Sequence, residues 1–245
     1  MTEQLVWVTI GVLVIFIIDW LAVRNSWRKV EYGLKPAALV AIIIWTLFAS
    51  KGLFSPLIYL LILAQISGLI GDVFLLLNSR WFILGLCAFL IGHLLYIGLI
   101  GWGIIVVCSH FGVRNNIFLP LIVTTLAFIL MLIVFYRIIA PKSPHLTLPG
   151  RLWASMQVYG WVLGGLVAMS LLSVMIANIY SYSMLYLPIG AILFFISDSI
   201  LAYDRFNKKI PRIRVWIMMS YHLAQFSLAV GFTNMWGSFF KQIQL

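Results

Sequence analysis

The apolar and polar residues alternate along the chain in long blocks, so that eight hydrophobic stretches are separated by short polar segments. A helix needs about 20 residues to cross the hydrocarbon core of a bilayer, and every stretch is of that order. Because helices satisfy their own backbone hydrogen bonds in lipid, the pattern predicts an all-α polytopic membrane protein with eight transmembrane helices. The predicted spans are Leu5–Val23, Leu34–Ser50, Pro56–Leu77, Trp81–Val107, Ile117–Ile139, Leu152–Asn178, Met184–Tyr203 and Ile213–Trp236.

Composition agrees with this fold class, since 64% of the 245 residues are hydrophobic and 9% are charged. Soluble domains carry roughly 25% charged residues. Eight spans of about 20 residues leave no room for a sizeable soluble domain, so residues 1–245 are predicted to form a single transmembrane domain. The first stretch is interpreted as a membrane helix rather than a cleaved signal peptide, because Glu3 precedes it and no small-residue cleavage site follows.

The basic residues are distributed unevenly between the two sides of the predicted bundle. Only Lys51, Arg114 and Lys241 fall in the even-numbered loops or at the ends of the chain. The odd-numbered loops hold the other thirteen, which are Arg24, Arg28, Lys29, Lys35, Arg80, Arg137, Lys142, Arg151, Arg205, Lys208, Lys209, Arg212 and Arg214. This asymmetry predicts cytoplasmic odd loops and both termini on the non-cytoplasmic side.

The net charge of +10 is therefore a topology signal, and the partner that it indicates is the lipid bilayer rather than a nucleic acid. In a bacterial source the protein would lie in the inner membrane.

The six acidic residues separate into two groups by position. Glu3, Glu31 and Asp204 are expected in water-exposed ends or loops, and Asp19 near the cytoplasmic end of span one, within reach of the interface. Asp72 and Asp198 instead lie five residues before the ends of spans three and seven. At about 1.5 Å per residue, both would sit roughly 7–8 Å inside the cytoplasmic face, where they can face each other across the bundle.

A carboxyl group inside a spanning helix is costly, and such groups commonly mark functional sites. The structural alternative is that each Asp makes a polar contact with a lysine or a backbone group.

Further polar residues fall at the same level. Lys35 is expected to open span two beside Pro36 in the first helical turn. Taken singly, each of the others is explained by close helix packing or an interhelical hydrogen bond. Their shared depth favours a polar pocket that opens toward the inner leaflet. They are Gln65 and Gly68 on the face of Asp72, the stripe Gly85, Phe89, Gly92, His93 and Tyr96 of span four, Ser197 beside Asp198, and Tyr221, His222 and Gln225 of span eight.

Several of these residues belong to longer motifs that appear in a fixed order. They are Lys35-Pro36, Gly71-Asp72-Val-Phe-Leu, Phe89-Leu-Ile-Gly-His93-Leu-Leu-Tyr96, Gly190-Ala-Ile-Leu-Phe-Phe-Ile-Ser197-Asp198-Ser-Ile-Leu-Ala202 and Tyr221-His-Leu-Ala224-Gln225. Together they resemble the YhhN-like lysoplasmalogenase family of eight-span membrane enzymes over essentially the whole chain, and the region around Tyr159 is also similar. Family members often have Tyr-Tyr where this chain has Tyr221-His222.

The resemblance implies hydrolysis of the vinyl ether bond of lysoplasmalogens, a class of lysophospholipid, without a metal or other cofactor. The products would be a fatty aldehyde and glycerophosphocholine or glycerophosphoethanolamine. A vinyl ether is protonated on carbon, and water captures the resulting oxocarbenium ion as a hemiacetal. One protonated and one ionised carboxyl group supply the acid and the negative charge, as they do in glycoside hydrolysis.

We therefore expect Asp72 and Asp198 to be the catalytic pair. Lys35, with cations of the cytoplasmic loops, is expected to hold the phosphate of the head group. The surrounding substrate-binding positions are expected to be His93, Tyr96, Ser197, Tyr221 and Gln225.

Three other functions compete with this interpretation. A zinc hydrolase of the membrane ceramidase type needs at least three ligands, whereas the four histidines and two cysteines show no ligand spacing. An intramembrane aspartyl protease would carry Gly-x-Gly-Asp, but Asp72 follows Leu69-Ile-Gly71. The main alternative is a proton-coupled transporter or lipid carrier, because intramembrane carboxylates are common proton relays. Neither inverted repeats nor broken helices, which are frequent in transporters, are evident.

Overall fold

Eight long α-helices make up the part of the chain that the computed structural model describes, which is residues 3–50, 56–77, 79–113, 116–139, 150–176 and 182–243. All eight are long and apolar enough to cross a membrane, so the protein is an integral, multi-pass membrane protein with the predicted all-α fold. The helices are α1 (Glu3–Arg24), α2 (Arg28–Ala49), α3 (Pro56–Leu76), α4 (Phe82–Phe111), α5 (Phe118–Ile139), α6 (Gly150–Ile176), α7 (Tyr186–Phe206) and α8 (Ile213–Ile243).

Short 3-10 turns at Ser79–Trp81 and Tyr182–Leu185 precede α4 and α7. Some residues named in the sequence analysis lie outside the described part of the chain. They are the loop cations Lys51, Arg114 and Lys142 and the last two residues of span six.

Two helices extend beyond their apolar stretches, and this changes the position of the candidate residues. Helix α2 begins at Arg28, so Lys35 lies inside the helix and does not open it. Helix α7 continues to Phe206. Asp72 is therefore about 6 Å from the end of α3 and Asp198 about 12 Å from the end of α7, at 1.5 Å per residue. The two carboxyl groups therefore lie at unequal distances from the ends of their helices, because polar residues continue α7 past the point where its apolar residues stop.

Five of the helices pack as a ring. Around it, α3 packs on α4, α4 on α6, α6 on α7, α7 on α8, and α8 on α3. Helix α2 lies outside the ring against α3 and α8, α1 lies against α2 and α8, and α5 lies against α6 and α7. Side chains that point into this ring can come from five different helices, and this arrangement gathers the candidate site.

Small residues bring α3 and α4 into backbone contact. A Cβ atom on Gly92 would lie 3.1 Å from the carbonyl oxygen of Ala64, and one on Gly85 would lie 3.3 Å from that of Gly71. In lipid, where helices gain little from hydrophobic burial, such close approach is a principal source of packing energy. The glycines of the span-four stripe therefore serve helix packing.

Candidate active site

Asp72 is buried beside a lysine from another helix. Its Oδ1 lies 3.1 Å from Nζ of Lys35, and its Oδ2 accepts a 2.8 Å hydrogen bond from the Tyr221 hydroxyl. Only 1% of Asp72 is exposed, and Lys35 is also buried. Helix α2 can deliver Lys35 because it packs against both α3, which carries Asp72, and α8, which carries Tyr221. The lysine contact that the structural alternative expects is thus present for Asp72.

A chain of buried hydrogen bonds ends at Asp72. The hydroxyl of Tyr96 donates to Gln225 Oε1 at 2.7 Å, and Gln225 Nε2 donates to the Tyr221 hydroxyl at 3.4 Å. Gly68 makes room for this chain, because a Cβ atom there would lie 2.6 Å from Gln225 Nε2. Of the predicted substrate-binding residues, Tyr221 therefore holds Asp72 directly, and Gln225 and Tyr96 hold Tyr221.

Asp198 has different partners. The Tyr159 hydroxyl donates a hydrogen bond to its Oδ2, and Nε2 of His93 lies 3.9 Å from the same oxygen. Asp198 is 7% exposed and His93 is fully buried. Among the described residues, no lysine or arginine forms an ion pair with Asp198. The two buried carboxyl groups therefore differ in one physical respect, which is the cation that only Asp72 has.

Aromatic rings connect the two carboxyl groups. The Tyr221 ring packs edge-on against Phe194 at 5.5 Å between centroids, and Phe194 packs against the His93 ring at 4.5 Å. Asp198 also experiences the charges of Asp72 and Lys35. The carboxyl groups thus share one cluster without pairing directly with each other, and each of the five ring helices contributes one residue to it: Asp72, His93, Tyr159, Asp198 and Tyr221.

Glu31 and Asp204, both expected in water-exposed segments, are buried. Glu31 is 3% exposed because the early start of α2 places it against α8, where it forms an ion pair with Arg214. Asp204 lies in the last turn of α7 and accepts hydrogen bonds from Lys209 Nζ at 2.6 Å and from the backbone N–H of Ile210 at 3.0 Å. It therefore stabilises the turn between α7 and α8.

Asp19 is also buried, with 0% exposure, so the expectation that it reaches the interface was wrong. Its Oδ2 lies 3.9 Å from Nε2 of His222, whose Nδ1 accepts a 3.1 Å hydrogen bond from the Trp20 indole. Helix α1 packs against α8 and encloses this pair. The second position of the Tyr221-His222 motif therefore binds residues of α1, whereas Tyr221 binds Asp72.

Two other polar residues from the sequence analysis bind neighbouring helices. The Ser197 hydroxyl donates to the carbonyl oxygen of Ile217 at 3.1 Å, which joins α7 to α8. Gln65 Nε2 donates to the Thr46 hydroxyl at 2.8 Å, which joins α3 to α2. Ser197 was expected to bind substrate, but the bond it donates is to the backbone of α8.

Tyr159 is the one member of the cluster that was not among the predicted site residues. A buried tyrosine usually finds a hydrogen-bond partner for its hydroxyl, so a tyrosine within a long apolar span is a signal in itself. The similarity of its surroundings to the family pattern is a second signal. The two together would have added Tyr159 to the predicted site.

A cavity of about 510 Å³ opens at the end of the bundle where α2 and α8 begin, which is the predicted cytoplasmic end. Lys35 lines it and also contacts Asp72, so the lysine connects the cavity to the buried carboxyl group. We call this cavity the mouth. The charged residues around it are Arg28, Glu31, Lys35, Asp204, Arg205, Lys209 and Arg214. Within the described part of the chain, no three His, Cys, Asp or Glu side chains are grouped so that they could hold a metal ion.

A lipid-spanning bundle with two buried candidate carboxyl groups, one of which contacts a lysine that lines a basic mouth, defines a polytopic membrane protein with a candidate acid–base site. The YhhN family model matches residues 30–232, and the chain belongs to the YhhN family. The match includes Lys35, Asp72 and Asp198, whereas Asp19 precedes it. No curated protein and no solved structure matches the chain.

The buried pair of Lys35 and Asp72 generates a stability prediction. Lys35→Met leaves the Asp72 carboxylate buried without its cation, a change that typically costs about 3–5 kcal/mol. We expect a clear fall in the Tm of the purified protein in detergent, measured by thermal unfolding. The double variant Lys35→Met/Asp72→Asn should recover much of this loss, because neither charge remains.

Lys209→Met is the matched control, because Lys209 also pairs with an aspartate but its side chain is 75% exposed. Exposed pairs are worth about 0–1 kcal/mol, so the Tm should change little. Equal Tm values for the wild type and Lys35→Met would contradict the ion pair.

Proposed function

We propose that the protein is a membrane hydrolase that cleaves the vinyl ether bond of lysoplasmalogens. The substrates would be lysoplasmenylcholine and lysoplasmenylethanolamine. The products would be a fatty aldehyde and glycerophosphocholine or glycerophosphoethanolamine. Family membership and the eight-span bundle support the class of enzyme. The observation that carries the mechanism is the different surroundings of Asp72 and Asp198.

Asp198 is proposed as the proton donor. A buried carboxylate without an ion-pair partner is strongly disfavoured, and the polar groups that contact Asp198 in the described structure are the Tyr159 hydroxyl and the His93 ring. Asp72 is proposed as the ionised partner, because Lys35 and Tyr221 provide a charge-assisted contact and a hydrogen bond to its two oxygens. Vinyl ether hydrolysis requires one protonated group as the acid and one carboxylate to stabilise the cation.

The reaction balances with these two groups and one water molecule. Asp198 gives its proton to the vinyl carbon that is not bonded to oxygen. Positive charge then develops on the ether oxygen and on the vinyl carbon bonded to it, and Asp72 stabilises this charge. Water adds to this carbon while Asp72 takes one proton from the water molecule, and the product is a hemiacetal. Asp72 then protonates the departing glycerol oxygen, the hemiacetal hydroxyl returns a proton to Asp198, and the aldehyde is released.

The aromatic rings in and beside the cluster also suit this chemistry. Phe194 packs against Tyr221 and His93, and Phe89 packs against Tyr221 at 5.7 Å. The face of an aromatic ring attracts a cation, and an oxocarbenium ion in a site without bulk water benefits from that attraction. The same rings exclude competing water from the acid.

The mouth is proposed to bind the head group. It carries both signs of charge, which matches a zwitterion with a phosphate and an ammonium group. Lys35 was expected to hold the phosphate, but its ammonium is already paired with Asp72. The phosphate is therefore assigned to Arg28 and Arg205, which line the same cavity; Arg205 also stacks on Phe82 at 4.7 Å.

Replacing either catalytic carboxyl group should abolish most of the activity. Asp72→Asn and Asp198→Asn are each expected to lower kcat for lysoplasmenylcholine by at least about 10²-fold, the scale of general acid–base catalysis. The assay follows aldehyde release from purified protein in detergent, with the saturated ether analogue as the substrate that should not react.

Asp19→Asn is the matched control, because Asp19 is equally buried but has its own partner outside the cluster and precedes the family match. It should keep most of the wild-type turnover. Near-native kcat in both Asp72→Asn and Asp198→Asn would refute the assignment. Proton-coupled uptake by liposomes, with no aldehyde formed by the wild type, would favour the transporter instead.

The assignment of the mouth predicts an effect on substrate affinity. Arg205→Gln removes one cation from the phosphate site and should raise KM for lysoplasmenylcholine about three- to tenfold while kcat changes little. Arg24→Gln is the control, since Arg24 is exposed near the same end of the bundle and does not line the mouth. A KM that responds equally to the two substitutions would show that only general surface charge matters.

A further inference from the structure

A second cavity, a groove of about 300 Å³, lies between α4 and α6. Its walls are largely apolar, with Ile83, Leu86 and Leu90 on α4 and Met156 and Tyr159 on α6. Such a surface has no charged group that could bind the head group of a phospholipid. A hydrocarbon chain is the occupant that these walls suit.

The groove lies along the part of α4 that is nearest the mouth. It follows the first nine residues of α4, or about 13 Å of helix, counted from the end that the mouth also occupies. Both cavities lie at the same end of α4, because Phe82 lines the mouth and the next residue, Ile83, lines the groove. A lipid with its head group in the mouth thus has the groove within the length of its chain.

Tyr159 connects the groove to the candidate acid. The residue lines the groove, and its hydroxyl donates the hydrogen bond to Asp198. The His93 ring packs edge-on against it at 5.8 Å and helps to hold it there. The Tyr159 side chain thus borders the groove and holds Asp198 at the same time.

We infer that the groove between α4 and α6 binds the single alkenyl chain of the lysolipid, and that Tyr159 positions Asp198 beside the chain's first carbons. The inference rests on the proposed function for the identity of the chain. Tyr159 acts through Asp198, so it is a positioning residue. The inner-leaflet side of the bilayer supplies the substrate directly to the groove.

The binding half of this inference is tested without turnover. A saturated alkyl-ether lysophosphatidylcholine with a diazirine in the first half of its chain is bound to the wild-type protein and photolysed. We expect cross-links at the residues that line the groove, which are Ile83, Leu86, Cys87 and Leu90 of α4 and Ser155, Met156 and Tyr159 of α6, and their loss when excess unlabelled lipid competes. Cross-links at the α5–α6 groove around Ile133 and Trp161, or labelling that no competitor reduces, would overturn the inference.

A substitution that fills the groove tests the same point by kinetics. Cys87 lines the groove and is exposed, so Cys87→Trp should add bulk there without disturbing the core. We expect KM for a long-chain lysoplasmalogen to rise about tenfold, equivalent to the lost burial of two methylenes, with little change for a four-carbon alkenyl substrate. Cys108→Trp, in the last turn of α4, is the matched control and should leave both KM values unchanged.

Tyr159→Phe separates positioning from chain binding. It keeps the ring in the groove and removes the hydroxyl that holds Asp198, so kcat should fall while the KM for the long-chain substrate stays within about twofold. Wild-type kcat in Tyr159→Phe, or an unchanged long-chain KM in Cys87→Trp, would contradict the inference while aldehyde release by the wild type still supported the proposed function. Specific cross-linking without any aldehyde release would refute the function and retain the groove as a lipid site.

Discussion

A carboxyl group buried in a lipid-spanning bundle needs a partner, and the ion pair between Lys35 and Asp72 is the constraint on which the rest of the site depends. Each charge alone would be expensive in this environment. The pair requires α2 to pack against α3, and it brings a cation to only one of the two candidate catalytic carboxyl groups. The proposed roles, with Asp198 as the proton donor and Asp72 as the ionised carboxylate, follow from this difference in ion pairing.

The ring of α3, α4, α6, α7 and α8 turns this asymmetry into a site. Asp72 is held by Lys35 from α2 and by Tyr221 from α8. Tyr221 is held in turn by hydrogen bonds that run from Tyr96 through Gln225. Asp198 is held by Tyr159 from the opposite part of the ring. The mouth, which Lys35 lines, and the α4–α6 groove, which Tyr159 lines, then reach the cluster at two different residues, and we propose that they take the head group and the chain.

Much of this arrangement could be predicted from sequence, because carboxyl groups are rare in lipid and apolar length defines a span. The helix ends at Arg28 and Phe206 could not, since polar residues that continue a helix leave no break in the pattern. The burial of Asp19 and Glu31 also escaped prediction, because it depends on α8 packing over them. Tyr159 is the one tyrosine of span six, and periodicity gives no indication of the direction in which its hydroxyl points.

The central claim is that Asp198 carries a proton while Asp72 is ionised, and infrared difference spectroscopy of the carboxyl C=O stretch tests it most directly. The measurement uses the Asp19→Asn background, which removes the other buried carboxyl group that lacks a lysine or arginine partner. We predict a protonated-carboxyl band that disappears in Asp198→Asn and remains in Asp72→Asn. A band that remains in Asp198→Asn and disappears in Asp72→Asn would contradict the proposed roles.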